Sequence, residues 1–346
     1  MIPVIHTTDL HHSPNDPDDH FDLAAVYALT EFDLRAIILD YTEEAFGTTI
    51  YEPGYTPVTQ LNFLSGRGVP AAVGPTQKSC LENPEDALLR CSRQEQAGIR
   101  LLLKALAESP TPAYITVTGS CRAVAAAFNR EPELVREKTR AIMLVAGSAR
   151  NGRDDKHCYN QKLDRFAYQR IWESGLPIRW LPCVGNSGYP NYQAPNNGHF
   201  LVSYKTLLHG LDDRLLNYFL HGLWGNMRGD VIRSLYEANR YEIFREQTTH
   251  GTRNIFCLGG FILMAERELV KTDQGWRFLP RGQADAHLLR SSMRWVPIET
   301  TFTGDAHVHF TPCDESRVQL FERETSSVHA EAMGEAFNDL LRSFPV

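Results

Sequence analysis

Short apolar runs rich in β-branched residues alternate along this chain with longer amphipathic segments. Such alternation is typical of βαβ units, in which helices connect parallel strands. The predicted strands span residues 3–8, 34–39, 71–73, 113–118, 141–145 and 178–184. The predicted helices between them span residues 20–30, 57–64, 94–107, 119–128 and 164–174. We therefore expect an α/β fold with an open, mostly parallel, Rossmann-like sheet flanked by helices.

The pattern becomes more helical after a loop at residues 185–198 that is rich in Gly, Asn, Pro and Tyr. We expect a mainly helical elaboration over residues 190–255. The helices predicted within it span residues 201–211, 214–224 and 230–237. Beyond it, the pattern predicts a buried helix, a hairpin, a strand and a closing helix at residues 256–266, 269–278, 300–310 and 326–344. No repeat or linker interrupts the sequence, so a single domain is predicted over residues 1–346.

The charge balance and the cysteines narrow the class of protein. The chain has 42 acidic and 35 basic residues and a net charge of −7, which disfavours nucleic acid and anionic membranes as partners. No apolar run approaches the roughly 18 residues that span a bilayer. The start of the chain lacks the regions of a signal peptide. The seven cysteines form no CxxC pair and are typical of reduced thiols, so we expect a cytoplasmic protein.

Acidic residues follow the first predicted strand and begin the next helix. Asp9 ends the strand, and Asp18 and Asp19 start the helix. Ligands of open parallel sheets bind beyond the carboxyl ends of the strands, which is where Asp9 is expected. Three carboxylates brought together would repel one another strongly, and calcium or magnesium would relieve the repulsion with oxygen ligands. The alternative is that Asp18 and Asp19 only cap the helix.

The order of these features resembles the nucleoside hydrolases, which open with a strand, a DxDPGxDDA motif and an apolar helix. With Asp18 and Asp19 placed on the Asp pair of the family, the following helix and second strand align without a gap. The segment Ile115-Thr-Val-Thr-Gly119 before a helix resembles the second motif of the family. A strand that ends at Gly147, followed by two asparagines, resembles the third.

The resemblance implies the nucleoside hydrolase fold and hydrolysis of the N-glycosidic bond of a ribonucleoside or related riboside by metal-activated water. It implies a calcium ion, with magnesium as the alternative, and a small ribosyl ligand. Asp9 is expected to be both the catalytic base and a metal ligand. The other expected metal ligands are Asp19, Thr118 and Asn254. The expected substrate-binding residues are Asp18, Asn151, Asn160, Arg253 and His250. We also expect a homo-oligomer, either a dimer or a tetramer.

The sequence departs from the family pattern at several positions. Thr7 replaces the first motif Asp, and Cys158 replaces the Glu at the sugar end. Arg253 and Asn254 stand where the family has His and Asp, and an Arg cannot act as a general acid at neutral pH. Two alternatives follow: a ribose-binding pseudoenzyme without turnover, or a hydrolase of another glycosyl compound. In the second, the acid would be His11, His12 or His157.

Overall fold

The computed structural model describes most of the chain. The described residues are 1–10, 17–40, 44–45, 48–49, 52, 54–76, 93, 96–150, 158–185, 194–224, 230–237, 250–283, 285, 288–303 and 307–346. The predicted ribose contact Asn151 lies outside them, as do the alternative acids His11, His12 and His157.

The strands and helices alternate through the first half of the chain, as predicted. The strands are β1 (Ile2–Thr8), β2 (Phe32–Leu39), β3 (Glu44–Ala45), β4 (Thr48–Thr49), β5 (Ala71–Val73), β6 (Ala113–Val117), β7 (Thr139–Leu144), β8 (Ile178–Trp180), β9 (Phe200–Ser203), β10 (Thr252–Ile255), β11 (Arg267–Thr272), β12 (Gly275–Pro280), β13 (Arg290–Ser291), β14 (Met293–Thr303), β15 (His307–Pro312) and β16 (Val318–Arg323). The α-helices are α1 (Asp18–Ala28), α2 (Tyr55–Ser65), α3 (Gln96–Ala107), α4 (Arg122–Arg130), α5 (Pro132–Lys138), α6 (Tyr159–Leu163), α7 (Arg165–Glu173), α8 (Tyr204–Leu207), α9 (Asp213–Trp224), α10 (Leu258–Met264) and α11 (His329–Arg342). A 3₁₀ helix spans Arg233–Tyr236.

The central sheet has nine strands in the order β15-β14-β16-β8-β7-β6-β1-β2-β5. Every neighbouring pair from β16 to β5 is parallel. At the other edge of the sheet, β14 pairs antiparallel with both β15 and β16, and β15 is the edge strand. The predicted α/β fold with a mostly parallel sheet is confirmed.

Helices cover both faces of the sheet. The inner strands β1, β6 and β7 are buried on both sides, because successive side chains point to opposite faces and both faces are packed. On one face, Val4 belongs to a core with α1, α2, α9, α10 and α11. On the other, Ile5 belongs to a core with α3, α4 and α7. Within the described residues, no helix is long and apolar enough to cross a membrane.

The predicted helical elaboration at 190–255 is only partly right. The segment predicted as a helix from residue 201 begins as β9, which pairs antiparallel with β10. Phe200 and Val202 are buried while Leu201 is exposed, so the side chains alternate as in a strand. The partner strand lies some fifty residues further along the chain, and local periodicity does not reveal such a pairing. The helix predicted at 214–224 is confirmed as α9.

Two further predictions about strands need correction. The single strand predicted at 300–310 is the end of β14 and the beginning of β15, which pair antiparallel. The predicted strand 178–184 is regular only as Ile178–Trp180, although Val184 still bridges Ser148. The single-domain interpretation stays a prediction.

Candidate active site

Four aspartates meet the carboxyl edge of the central sheet. Asp9 directly follows β1 and Asp40 directly follows β2, and these strands are parallel neighbours whose ends share one edge. Asp18 and Asp19 begin α1 on the same side of β1. All four residues are buried, and only 1% of the surface of Asp9 is exposed to solvent. The fold therefore brings together the three predicted acidic residues and adds Asp40.

Two hydroxyl groups at the ends of adjacent strands hold Asp19. Thr8 Oγ1 donates to Asp19 Oδ1 at 3.1 Å, and Thr118 Oγ1 donates to the same oxygen at 3.0 Å. Thr8 ends β1, and Thr118 directly follows β6. The Asp19 side chain also shares a hydrogen bond with Asp9. The position of Asp19 is thus fixed by the edge of the sheet as well as by its own helix.

Sequence reasoning missed Asp40. Ser120 donates to its carboxylate from the backbone N–H at 2.7 Å and from Oγ at 3.1 Å. Arg122 Nη2 lies 3.5 Å from Asp40 Oδ1, and both side chains are buried. The signal was present, because Asp40 is the first polar residue after the apolar strand end Ile37-Ile-Leu39.

Gly119 permits the close approach of two of these acids. A Cβ atom at this position would lie 3.0 Å from Asp40 Oδ2 and 3.1 Å from Asp9 Cβ and Cγ. Such contacts are too short for a side chain to fit without displacing a neighbour. A side chain at this turn would therefore push Asp9 or Asp40 aside by a few tenths of an ångström.

Burial and mutual repulsion disfavour ionisation of the cluster. Burial raises the pKa of Asp9 well above its ordinary value, and the charges of Asp19 and Asp40 raise it further. The pKa of Asp18 is raised in the same way, first by burial and then by Asp19 and Asp22. Burial also raises the pKa of Asp19, although its hydrogen bonds oppose the shift. A nearby positive charge would be needed for all of these groups to ionise together.

Arg253 supplies one such charge. Its Nη2 lies 2.9 Å from Asp18 Oδ1, in an ion pair whose side chains are 19% and 10% exposed. Burial lowers the pKa of Arg253 to about 10, so the guanidinium stays charged at neutral pH. The strand β10, which carries Arg253, packs beside α1. The predicted ribose acceptor Asp18 is therefore already engaged by another predicted substrate-binding residue.

Asn160 connects two strand ends. Its Nδ2 donates to the carbonyl oxygens of Thr118 at 2.8 Å and of Val145 at 2.9 Å. Both amide hydrogens are used within the protein, so a ligand hydroxyl could only donate to its Oδ1. His250 is exposed just before β10, and no described contact joins it to the acidic residues.

The donors that could hold a metal ion are all oxygen atoms. Asn254 Oδ1 is buried without a hydrogen-bond partner in the described part of the chain. Together with Asp9, Asp19 and the carbonyl of Thr118, it suits a hard divalent cation in donor chemistry and charge. In the same described ranges, however, no three His, Cys, Asp or Glu side chains form a ready-made metal cluster. Asp18 pairs with Arg253, which leaves Asp9 and Asp19 as the acidic donors predicted to bind the cation.

Comparison with known proteins relates this geometry to a family. No protein-family model matches the chain. The pyrimidine-specific ribonucleoside hydrolase RihA of Citrobacter koseri is 25% identical over 191 residues, which cover 51% of this chain and 58% of that protein. The match thus spans little more than half the length of that curated relative. The purine-preferring ribonucleoside hydrolase of Gardnerella vaginalis superposes with a TM-score of 0.57 over 98% of this chain and 99% of its own, at 13% identity.

The chain shares the fold of the nucleoside hydrolases and is similar in sequence to one of them over about half of its length. Its fold is also that of the type III effector protein XopQ, whose structure was solved with adenosine diphosphate ribose. That superposition has a TM-score of 0.53 at 16% identity and covers 100% of this chain and 94% of the effector. At such low identities the superpositions establish the shared fold alone, and the chemistry of the site depends on the residues of this chain.

Proposed function

We propose that this protein hydrolyses the N-glycosidic bond of a ribonucleoside or a related riboside. The observation that carries the proposal is the contact between buried Asp9 and Asp19, with Asp19 held by Thr8 and Thr118 at the carboxyl edge of the sheet. The sequence relative named as a ribonucleoside hydrolase supports the same reaction.

A calcium ion, with magnesium as the alternative, fits the oxygen donors of this site. We assign its ligands to Asp9, Asp19, the carbonyl of Thr118 and Asn254 Oδ1. When bound, such a cation makes a water molecule easier to deprotonate and neutralises the crowded carboxylates. This neutralisation would lower the raised pKa values of Asp9 and Asp19 and favour their ionised forms.

Asp9 is assigned as the base that accepts the proton of the attacking water. Its burial makes the ionised carboxylate a stronger proton acceptor than an exposed one. The negative charges of Asp9 and Asp19 also stabilise the positive charge that develops on the sugar as the glycosidic bond breaks. Asp18 and Asn160 are assigned to ribose hydroxyls, as is Asn151, which lies outside the described residues.

Departure of the base needs positive charge or a proton. Arg253 stays protonated at neutral pH and so can donate a hydrogen bond to a departing nitrogen without transferring a proton. Its distance of 2.9 Å from Asp18 places this charge beside the assigned ribose acceptor. His250 remains the alternative acid, although it is exposed.

The test is an assay of ribose release from a panel of nucleosides with calcium present. The substitution Asp9→Asn should lower kcat by about 10²- to 10⁴-fold, the usual contribution of a base. The substitution Asp19→Asn should weaken calcium binding and lower turnover with it. Asp33→Asn is the matched control, because Asp33 lies at the opposite end of β2 and pairs with Arg35. Unchanged turnover in Asp9→Asn would refute the assignment, as would a wild-type protein that binds neither calcium nor magnesium in titration calorimetry.

A second candidate is a ribosyl-binding protein without turnover. Arg253 favours it, since a guanidinium paired with Asp18 cannot transfer a proton to a departing base. The effector with the same fold was solved with adenosine diphosphate ribose, a ribosyl compound that carries charge. A thermal shift with adenosine diphosphate ribose, combined with no ribose release from any nucleoside, would select this candidate over hydrolysis.

A further inference from the structure

Two cysteines that are far apart in the sequence meet beside Gly147, at the carboxyl edge of the sheet. The backbone N–H of Gly147 donates to Cys158 Sγ at 2.8 Å. The carbonyl of the same glycine accepts from Val184 N–H at 3.3 Å, which places the adjacent Cys183 alongside. Cys183 Sγ lies 3.6 Å from the carbonyl of Val145, two residues before Gly147. The extensions of β7 and β8 therefore bring the two sulfur atoms together.

The pKa values of the two thiols are shifted in opposite directions. Burial alone would raise the pKa of Cys158, but the Cys183 thiol and the N–H groups of Gln161 and Gly147 donate to its sulfur and lower that pKa below its ordinary value. The same hydrogen bond, followed by burial, raises the pKa of Cys183 well above its ordinary value. The contact therefore favours loss of the proton from Cys158 and its retention on Cys183, an asymmetry that is typical of reactive cysteine pairs.

We propose that Cys158 and Cys183 form an oxidisable pair that hydrogen peroxide converts to a disulfide, and that the disulfide weakens the ribosyl site. Cys158 thiolate attacks one oxygen of the peroxide, so that an S–O bond forms, the O–O bond breaks and the leaving hydroxide takes a proton to become water. The Cys183 thiol then attacks the sulfenic sulfur, which forms the S–S bond and releases a second water. Two thiols are oxidised by two electrons, and one peroxide is reduced.

The exposure of the pair suits a small oxidant. Cys158 is fully buried, whereas Cys183 is only half-buried. A molecule of the size of hydrogen peroxide therefore approaches from the side of Cys183. Cys121 and Cys257 are both buried, with pKa values well above the ordinary value because of burial, so they lack the thiolate character of Cys158.

The pair is joined to the proposed ribosyl site through Asn160. Asn160 lies two residues after Cys158, and its Nδ2 donates to the carbonyls of Thr118 and Val145. The Val145 carbonyl also lies within reach of Cys183 Sγ. A disulfide of about 2.05 Å is much shorter than a contact between two thiols, so closure draws the start of α6 and the segment after β8 toward each other. The assigned ribose contact and the carbonyl of Thr118 would shift with it, a consequence that rests on the proposed function.

The experiment treats the full-length reduced protein with hydrogen peroxide and maps disulfides by mass spectrometry without reduction. We expect a crosslink between the peptides that contain Cys158 and Cys183, with the loss of two hydrogens. We also expect about tenfold weaker binding of a ribosyl ligand, measured with adenosine diphosphate ribose or by nucleoside turnover. Dithiothreitol should restore the binding.

Two variants sharpen the test. Cys183→Ser should form no crosslink and should leave a sulfenic acid on Cys158 that dimedone traps. Cys313→Ser is the matched control, because Cys313 is a half-buried thiol on the antiparallel side of the sheet, and it should behave as the wild type. Oxidation of other cysteines without the 158–183 crosslink would overturn the proposal, as would a crosslink that leaves ligand binding unchanged. The crosslink is measured without any turnover. A protein that forms it but hydrolyses no nucleoside would therefore contradict the hydrolase proposal and leave the proposed cysteine pair intact.

Discussion

At the scale of single residues, the site is governed by how its buried carboxylates are compensated. Asp19 has two threonine hydroxyls, Asp40 has Ser120 and Arg122, and Asp18 has Arg253. Removing one member of a buried ion pair leaves the other as an uncompensated charge. The resulting loss of folding stability is usually larger than the stability that the pair itself contributes. A substitution of Arg253 should therefore act mainly through Asp18, which would lose its ion-pair partner, and only indirectly on ligand binding.

We predict that Arg253→Gln raises KM for a riboside about tenfold, because Asp18 loses its counter-charge and its orientation. Arg253→Lys should have a smaller effect, since the charge is kept but the planar guanidinium is lost. The measurement is steady-state kinetics, or titration calorimetry if turnover is absent. Arg267→Gln is the control, because Arg267 pairs with Glu31 away from the site. Equal KM values in the wild type and both variants at position 253 would contradict the prediction.

At the scale of elements, the site is assembled by the ends of parallel strands and the turns that follow them. Asp9, Asp40 and Thr118 each come directly after a strand, and β1 lies between β2 and β6. Side chains at these positions converge because the register aligns the strand ends. The turn at Gly119 decides how closely Asp9 and Asp40 approach.

We predict that Gly119→Ala lowers kcat/KM about tenfold, because the new methyl group pushes on the carboxylates of Asp9 and Asp40. Shifts of a few tenths of an ångström in reacting groups are costly for catalysis. Gly68→Ala is the matched control, since a Cβ there meets nothing within 4 Å. Circular dichroism would check that both variants fold. Full activity in Gly119→Ala would show that this close approach is irrelevant to the reaction.

At the scale of the whole molecule, one apolar core links the start and the end of the chain. It extends from Val4 in β1 to Phe344 after α11, and Tyr27 of α1 stacks on Phe344 with ring centroids 6.4 Å apart. This continuity supports the prediction of a single domain. The predicted dimer or tetramer stays a prediction, which light scattering in solution would measure.

We predict that the stability of the whole fold depends on pH through Asp22, which is fully buried in α1. Burial, followed by the charge of Asp19, raises the pKa of Asp22 well above its ordinary value. Below about pH 4 the folded and unfolded states both hold the proton. Above it, only the folded state holds the proton, so stability falls as pH rises toward the folded pKa, by about 1.4 kcal/mol per pH unit within that window.

The difference between wild type and Asp22→Asn isolates this effect. The variant cannot titrate at this position, so its unfolding temperature should rise relative to the wild type as pH increases from about 4 toward the folded pKa of Asp22. Burial lowers the pKa of His6 to about 3 and of His199 to about 4, so these histidines contribute stability that is lost as pH falls below about 6.5. Their contribution cancels in the comparison. Scanning calorimetry would measure both proteins, and a difference that is constant with pH would contradict the prediction.

The sequence alone was enough to predict the parallel sheet and the placement of Asp9, Asp18 and Asp19. These two predictions depend on local features of the sequence. One feature is a strand-forming run that is followed directly by a polar residue, and the other is an amphipathic segment with acidic residues in its first turn. Because parallel strands run in the same direction, the residues that follow them lie at the same edge of the sheet.

Tertiary structure decided the rest. The pairing of β9 with β10, the ion pair between Asp18 and Arg253, and the contact of Cys158 with Cys183 join residues from 25 to more than 200 positions apart. The periodicity of a local segment carries no information about such partners. Packing of distant elements determines which polar groups are buried together, and that determines which of them hold charge.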